Sequence, residues 1–157
     1  MRYPPPNEAP VFPDVPEAIA KVAKEAWQGY DAEMYRSALT NARAVIEATA
    51  KAKGITKGDL ADKIDSMVSE NLLPQRLKIA IHEVRHAGND VAHGDLGRFV
   101  DPYETKTLLT VMNQVLDEIY TSPAQIQRLV DARKDRERET KMASQQARQE
   151  AQEEPPF

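Results

Sequence analysis

Apolar residues in this chain recur every three or four positions, the spacing that places side chains on one face of an α-helix. The clearest stretch lies between Tyr35 and Thr49, with apolar or small residues at Tyr35, Ala38, Leu39, Ala42, Val45, Ile46 and Thr49. No segment has the period-two alternation of a half-buried strand. Helix-favouring residues dominate the composition, and only six glycines interrupt them. We therefore predict an all-α fold.

Start and stop signals divide the chain into a compact bundle of five or six helices. The predicted helix starts are Pro16, Tyr35, Thr56, Pro74, Asp101 and Ser122. The first helix is expected to run to about Gly29, and Gly54 is expected to stop the second. Thr56-Lys57-Gly58-Asp59 resembles a capping box for the third helix. Asp101-Pro102-Tyr103-Glu104 has the cap, proline and acid of a helix start.

The two ends of the chain differ in composition from its centre. Residues 1–13 hold five of the eleven prolines, which predicts a proline-rich extended arm. Residues 131–157 are rich in both charge signs and nearly free of apolar side chains, so a helix there has no face to bury. We expect a charged tail there, either a solvated helix, a disordered segment or a helix that binds a protein partner. Residues 14–130 are left as the helical bundle domain, and the termini are expected to be flexible.

Composition and charge exclude several classes of protein. The absence of cysteine excludes disulfides, cysteine-ligated zinc and a thiol nucleophile. A net charge of −4 argues against binding of nucleic acid by bulk electrostatics, but leaves room for a local basic site. No apolar run approaches ~18 residues, and the first residues lack the apolar core of a signal peptide. We expect a cytoplasmic protein with no membrane partner.

The most distinctive segment carries all three histidines, His82, His86 and His93. Plotted on a helix at about 100° per residue, Leu77, Ile81, Val84, Gly88 and Val91 form an aliphatic side. The opposite side carries the polar residues His82, Arg85, His86, Asn89 and His93. This polar side is either a solvated surface or a functional face, and Gly88 either lies within the helix or ends it.

His82-Glu83-Val84-Arg85-His86 matches the H-E-x-x-H pattern of zinc peptidases, in which two histidines bind the metal and the glutamate acts as a base. A third ligand is needed. Asn89 and Ala92 stand where the extended motif places glycine and histidine, which leaves Glu104 or Glu118 as carboxylate candidates. We therefore expect no metal or other cofactor, and keep zinc bound by His82 and His86 as the unfavoured alternative.

The second helix offers candidate binding or orienting residues. Arg43 and Glu47 are four positions apart beside its apolar stripe, where they can form a surface ion pair. Alternatively they reach the polar side of the fourth helix and orient Arg85 or a histidine there. Gly88 is a third candidate because a glycine lets a ligand or partner backbone approach closely.

Several strings in this order resemble a known family. They are Tyr35-Arg36-Ser37-Ala38, Asn41-Ala42-Arg43-Ala44-Val45-Ile46-Glu47 and Val84-Arg85-His86-Ala87-Gly88-Asn89-Asp90-Val91-Ala92-His93. They resemble a bacterial and phage domain family of unknown function that is often fused to restriction-endonuclease subunits. That family is grouped with the HEPN (higher eukaryotes and prokaryotes nucleotide-binding) superfamily. The resemblance covers about residues 15–121.

The resemblance implies a helical bundle that dimerises, and candidate residues for metal-independent RNA cleavage. Many superfamily members are ribonucleases with an R-x(4–6)-H motif, often with asparagine directly after the arginine. Asn89 and His93 match that asparagine and histidine, but Gly88 stands in the place of the arginine. Arg85 is the nearest arginine, so the implied catalytic set is Arg85, Asn89 and His93. His86 and Glu83 are possible helpers.

The resemblance therefore implies a HEPN-like module of a bacterial or phage defence or mobile-element system. The leading hypothesis is a homodimer, formed through the face that carries His, Arg and Asn, that binds nucleic acid or a nucleotide. Because the arginine of the motif is displaced, a metal-independent endoribonuclease using Arg85, Asn89 and His93 is the alternative. A zinc metallopeptidase is the second alternative.

Overall fold

The computed structural model describes residues 10–94 and 99–155, and these ranges contain helices but no strand. The helices are α1 (Glu17–Asp31), α2 (Tyr35–Ala52), α3 (Leu60–Ser69), α4 (Lys78–Ala92), α5 (Pro102–Leu116) and α6 (Ser122–Glu153). A 3₁₀ turn, Gln75–Leu77, precedes α4, and a π-helical stretch, Asp117–Thr121, follows α5. The predicted all-α bundle of five or six helices is confirmed.

The chain divides into two units between Thr121 and Ser122. In the first unit, α2 lies at the centre and packs against α1, α3, α4 and α5. Its buried residues are Ala38, Leu39, Ala42, Val45, Ile46, Thr49 and Ala50. Small and β-branched residues on several sides of one helix let its neighbours pack closely against it. Helix α2, which the spacing of apolar residues predicted, is therefore the central helix of the bundle.

Aliphatic side chains from α4 and α5 complete the core around α2. Ile81 and Val84 of α4, and Leu109 and Met112 of α5, are fully buried. Their removal from water supplies the main stabilisation of the bundle, about 25 cal/mol for each Å² of apolar surface buried. A side-chain hydrogen bond at the edge of the core links α1 to α5: Trp27 Nε1 donates to Asn113 Oδ1 at 3.0 Å.

The second unit is the helix α6, which has no buried residue along its described length. Every position from 131 to 155 is exposed, and most of these positions carry polar or charged residues. Ion pairs along the helix, such as Arg133 to Glu137 at 3.4 Å, link side chains one turn apart. No helix within residues 10–94 and 99–155 is both long and apolar enough to cross a membrane. Most of the predicted proline-rich arm, residues 1–13, lies outside the described residues.

The ends of the helices confirm two predicted signals and correct one. Gly54 follows α2 with φ +82°, and the Asp101 side chain caps α5 by accepting from the Tyr103 backbone N–H at 3.0 Å. The capping box predicted at Thr56 is wrong. The real box begins at Asp59, whose carboxylate accepts from the backbone N–H of Asp62 at 2.9 Å. Gly58, with φ +82°, holds a backbone conformation that a helix starting at Thr56 does not allow.

Helix α4 passes through Gly88 without a break, so of the two alternatives the continuous helix is correct. Its Ile81, Val84 and Gly88 are buried, as the aliphatic side predicted. The predicted start near Pro74 is close, because the 3₁₀ turn begins one residue later and leads directly into α4. The polar side of α4 is thereby turned away from the core.

Candidate functional site

The polar side of α4 carries the residues from which a functional site can be built. His82, Arg85 and Asn89 are half-buried on its flank, whereas His86 and His93 are exposed. The arrangement follows from the helical period, because the buried Ile81, Val84 and Gly88 fix the opposite side against the core. Two separate groups of contacts form along this flank, one turn apart.

The first group is a surface cluster of Asp65, His82, Arg85 and His86, here called the histidine–arginine cluster. His82 Nε2 lies 2.8 Å from Asp65 Oδ1 of α3. Arg85 Nε donates to His82 Nδ1 at 3.2 Å, and Arg85 Nη2 lies 3.2 Å from His86 Nε2. Because a guanidinium only donates, each imidazole nitrogen facing Arg85 is an unprotonated acceptor. His82 therefore carries its hydrogen on Nε2 and donates it to Asp65.

Two carboxylates near Arg85 have lowered pKa values. The hydrogen bond from His82 is the main cause for Asp65, and Lys78, 3.5 Å away, adds to the lowering of its pKa. The pKa of Asp59 is lowered chiefly by the hydrogen bonds of its capping box with Asp62, and the charge of Arg85 contributes. Both acids are therefore ionised at neutral pH, and they partly balance the positive charge of Arg85.

The second group, here called the Arg43–Asn89 pair, joins α2 to α4. Arg43 Nη1 donates to Asn89 Oδ1. The arginine stem crosses α4 at Gly88, where a Cβ atom would lie only 2.8 Å from Arg43 Cβ and Cδ. Gly88 therefore makes room for an arginine of the same chain. Arg43 therefore reaches the polar side of α4, but it contacts Asn89 and neither Arg85 nor a histidine.

Glu47, predicted together with Arg43, turns towards α3 instead. Its Oε1 accepts from Lys63 Nζ at 3.2 Å and lies 3.7 Å from Lys51 Nζ. The Lys63 side chain is buried, whereas the Glu47 side chain is 35% exposed, so the ion pair is desolvated mainly on the lysine side. The hydrogen bond from Lys63 lowers the pKa of Glu47, in opposition to burial. Glu47 thus connects α2 to α3 and contacts none of the predicted site residues of α4.

The predicted set Arg85, Asn89 and His93 is distributed along α4. Arg85 belongs to the histidine–arginine cluster and Asn89 to the Arg43–Asn89 pair. His93 directly follows α4, its backbone N–H donates to the Asn89 carbonyl at 3.0 Å, and its side chain is exposed. Eight helical steps, about 12 Å along the axis, separate Arg85 from His93. The predicted helper Glu83 is exposed on the outer face.

Residues 24–138, more than half of the chain, match the family described as domain of unknown function DUF4145. The chain belongs to this family. The match begins within α1 and extends into α6, so every residue of both groups lies inside the DUF4145 domain. No curated protein and no solved structure matches the chain.

Metal ligands are not gathered in the described part of this DUF4145 domain. Residues 10–94 and 99–155 contain no group of three side chains able to hold a metal ion. The Nε2 atoms of His82 and His86 face Asp65 and Arg85, respectively. Glu118, one carboxylate candidate, pairs with Arg76 at 2.8 Å. Among the residues that the structure describes, the geometry gives no third ligand to the H-E-x-x-H pattern.

Two residues of the DUF4145 domain escaped prediction, Asp65 and Lys63. Both lie on α3, and each contacts a predicted residue of another helix, His82 and Glu47 respectively. Lys63 falls within the apolar stripe of α3, one position before Ile64, and a lysine at a core position is a sequence signal for a buried ion pair. Asp65 gave no such signal in the sequence, because acidic residues are commonly exposed on the surface of helices.

Proposed function

We propose that this DUF4145 domain is a HEPN-like dimerising module that binds RNA through its phosphates, as part of a bacterial or phage defence or mobile-element system. The observation that carries the proposal is the guanidinium of Arg85, held at the surface between two imidazoles. One turn further along α4, Arg43 brings a second guanidinium to the same flank.

The chemistry of the histidine–arginine cluster suits a phosphate. An arginine has five N–H donors, and Arg85 directs only two of its nitrogens at the imidazoles. The remaining donors can hold phosphate oxygens in a bidentate, charge-assisted contact. With a net charge of −4 on the whole chain, the binding is expected to be local and strongly dependent on salt.

Dimerisation is supported by an apolar side chain on the same outward face of α4. Ile79 is 79% exposed, an unusual position for isoleucine in a helix whose other aliphatic residues are largely covered. An interface across α4 would cover Ile79 and bring two copies of the histidine–arginine cluster together. Light scattering tests this step: Ile79→Glu is expected to convert a dimer to a monomer, and a wild-type monomer at high concentration contradicts it.

The proposed RNA binding is tested by fluorescence anisotropy with a labelled single-stranded RNA at two salt concentrations. Arg85→Ala is expected to weaken binding about tenfold or more, since hydrogen bonds to charged groups contribute about 1.5–3 kcal/mol. Arg76→Ala is the matched control, because Arg76 is an exposed arginine whose carboxylate partner, Glu118, lies outside the cluster. Equal loss in both variants, or no binding by the wild type, overturns the proposal.

A metal-independent ribonuclease is the second candidate, favoured by the position of His93. Its exposed imidazole lies one helical turn beyond Asn89, on a residue type that exchanges protons near neutral pH. Incubation of RNA with the protein in excess chelator, beside a His93→Ala variant, tests this candidate. Cleavage by the wild type alone supports it, and intact RNA in both reactions rejects it for that substrate.

A further inference from the structure

We infer that Arg43 is a positioning residue that turns the Asn89 side-chain amide outward, so that Asn89 Nδ2 donates to a phosphate oxygen of bound RNA. The inference rests on the proposed function and names a second contact within the same site. A guanidinium has no acceptor, so only the amide oxygen of Asn89 can face Arg43. The orientation of an otherwise ambiguous amide is therefore set by chemistry.

The packing at Gly88 keeps Arg43 in place. Gly88 is buried, and the arginine stem lies so close to it that even one added methyl group would collide with Arg43 Cβ and Cδ. A side chain enclosed in this way has lost most of its rotamer freedom on folding. The contact to Asn89 therefore costs little further entropy, unlike a contact made by a mobile surface arginine.

The amide nitrogen of Asn89 is left available for a ligand. Among the residues that the structure describes, no protein acceptor faces Asn89 Nδ2, although the residue is half-buried. An amide N–H without a protein partner is free to donate to a ligand oxygen. The positive charge of Arg43, hydrogen-bonded to the same amide, favours an anionic acceptor over a neutral one.

The spacing between Asn89 and Arg85 allows both side chains to contact the phosphate backbone of one RNA strand. Asn89 is four residues after Arg85, so the two side chains leave the same flank of α4 about 6 Å apart along its axis. A single RNA strand laid along α4 can then meet the guanidinium of Arg85 and the amide of Asn89 in succession. Base edges are not required, so the contact is expected to be independent of sequence.

The first experiment separates the donor from the acceptor in Asn89. In Asn89→Asp the carboxylate still accepts from Arg43, but the Nδ2 donor is lost and a negative charge meets the phosphate. We expect an unchanged or higher Tm and at least tenfold weaker RNA binding by anisotropy. Asn113→Asp is the matched control: Asn113 Oδ1 also accepts, from Trp27 at 3.0 Å, but on α5. Its RNA affinity is expected to stay within twofold of the wild type.

The second experiment tests positioning by nuclear magnetic resonance. The side-chain NH₂ signals of Asn89, identified by their loss in Asn89→Asp, are expected to shift on addition of RNA. Arg43→Ala is expected to move these signals in the free protein and to weaken binding. Arg43→Lys is expected to restore part of the RNA binding and to return the Asn89 signals part of the way to their wild-type positions, because an ammonium also donates to Oδ1. A purely structural role of Arg43 would lower Tm without moving the Asn89 signals selectively.

The outcomes distinguish this inference from the proposed function. RNA binding that is lost in Arg85→Ala but unchanged in Asn89→Asp overturns the inference and leaves the proposed function standing. Asn89 NH₂ signals that do not shift when RNA is bound overturn the inference in the same way. A wild-type protein that binds no RNA overturns both.

Discussion

The two groups of contacts on α4 are one turn apart and have similar chemistry, yet they are held in different ways. In the Arg43–Asn89 pair, an arginine stem is enclosed between two helices over Gly88. In the histidine–arginine cluster, Arg85 is held by hydrogen bonds to two imidazoles at the surface. Packing fixes the first group, whereas hydrogen bonds between its own members fix the second.

The difference assigns different roles to the two groups. A side chain fixed by packing keeps its geometry when pH or salt changes, because dispersion and burial do not depend on either. The hydrogen bonds of the histidine–arginine cluster can be exchanged for bonds to water or to a ligand, because the cluster lies at the surface. The Arg43–Asn89 pair is suited to orientation and stability, and the histidine–arginine cluster to adjustable binding of an anion.

Gly88→Ala is the change expected to disturb the packed group most. The new Cβ would lie 2.8 Å from two atoms of the Arg43 stem, and these are not the mobile end of the side chain. Overpacking of this kind costs about 1–3 kcal/mol, more than alanine gains over glycine in a helix. Urea denaturation should therefore show a lower free energy of unfolding.

Gly29→Ala is the matched control for that substitution. Gly29 is also inside a helix, α1, but its Cβ would lie no closer than 3.4 Å to any neighbour. Helix propensity then balances the tighter contact, and the free energy of unfolding should change little. A Gly88→Ala protein as stable as Gly29→Ala would show that Arg43 moves aside freely and is not fixed by packing.

Most of the fold could be predicted from sequence because its signals are local. The period of apolar residues gave α2, Gly54 gave the end of that helix and Asp101 gave the start of α5. The third helix start was misplaced because Thr56 and Asp59 have the same spacing as a true capping box. Gly58 has a left-handed backbone conformation in the structure, and this glycine was the sequence signal that the helix starts after it.

The site was predictable only where one helix carries it. The polar side of α4 follows from counting residues, but the partners that Asn89 and His82 find in other helices lie on α2 and α3. Arg43 was one of two alternatives, and Asp65 had no signal at all, because helix packing brings it to His82 across seventeen residues of sequence. Contacts between helices depend on crossing angles and rotamers, which no local pattern encodes.

A double-mutant cycle measures how differently the two groups are coupled. Arg43→Ala and Asn89→Ala, alone and combined, should give a coupling free energy of about 0.5–1.5 kcal/mol in urea denaturation. The same cycle with Arg85→Ala and His82→Ala should give a smaller coupling free energy, because no glycine-packed stem holds Arg85 against His82. Equal coupling in the two cycles would contradict the distinction between a packed and a surface group.

Acid titration extends the comparison to two carboxylates of lowered pKa. Glu47 faces the buried Lys63, whereas Asp65 is exposed beside His82. A carboxylate whose pKa is lowered by folding stabilises the fold at pH values above its pKa in the unfolded chain. This stability is lost as pH falls through its pKa in the folded protein. The free energy of unfolding should therefore be level above about pH 5 and decline below it.

Glu47 should account for more of this acid-side fall in the free energy of unfolding than Asp65 does. Glu47→Gln is expected to flatten the acid side of the stability profile, while Asp65→Asn leaves most of the slope, because solvent screens the exposed acid. Thermal denaturation at several pH values between neutrality and pH 3 measures both. A profile flattened equally by the two substitutions would mean that burial of Lys63 adds nothing to the pair.

The smallest effect is expected on α6, where neither packing nor a cluster supports an ion pair. Arg133 and Glu137 are 3.4 Å apart, and both side chains are more than half exposed. Pairs of this type contribute about 0.3–0.5 kcal/mol to a helix, and salt screens them. Arg133→Ala also brings in a better helix former, so circular dichroism should show helicity within error of the wild type at high salt and slightly changed at low salt. A large loss of helicity would mean that α6 depends on its charges as strongly as the bundle depends on its core, and the contrast between packed and solvated contacts would then fail in the region where it should be clearest.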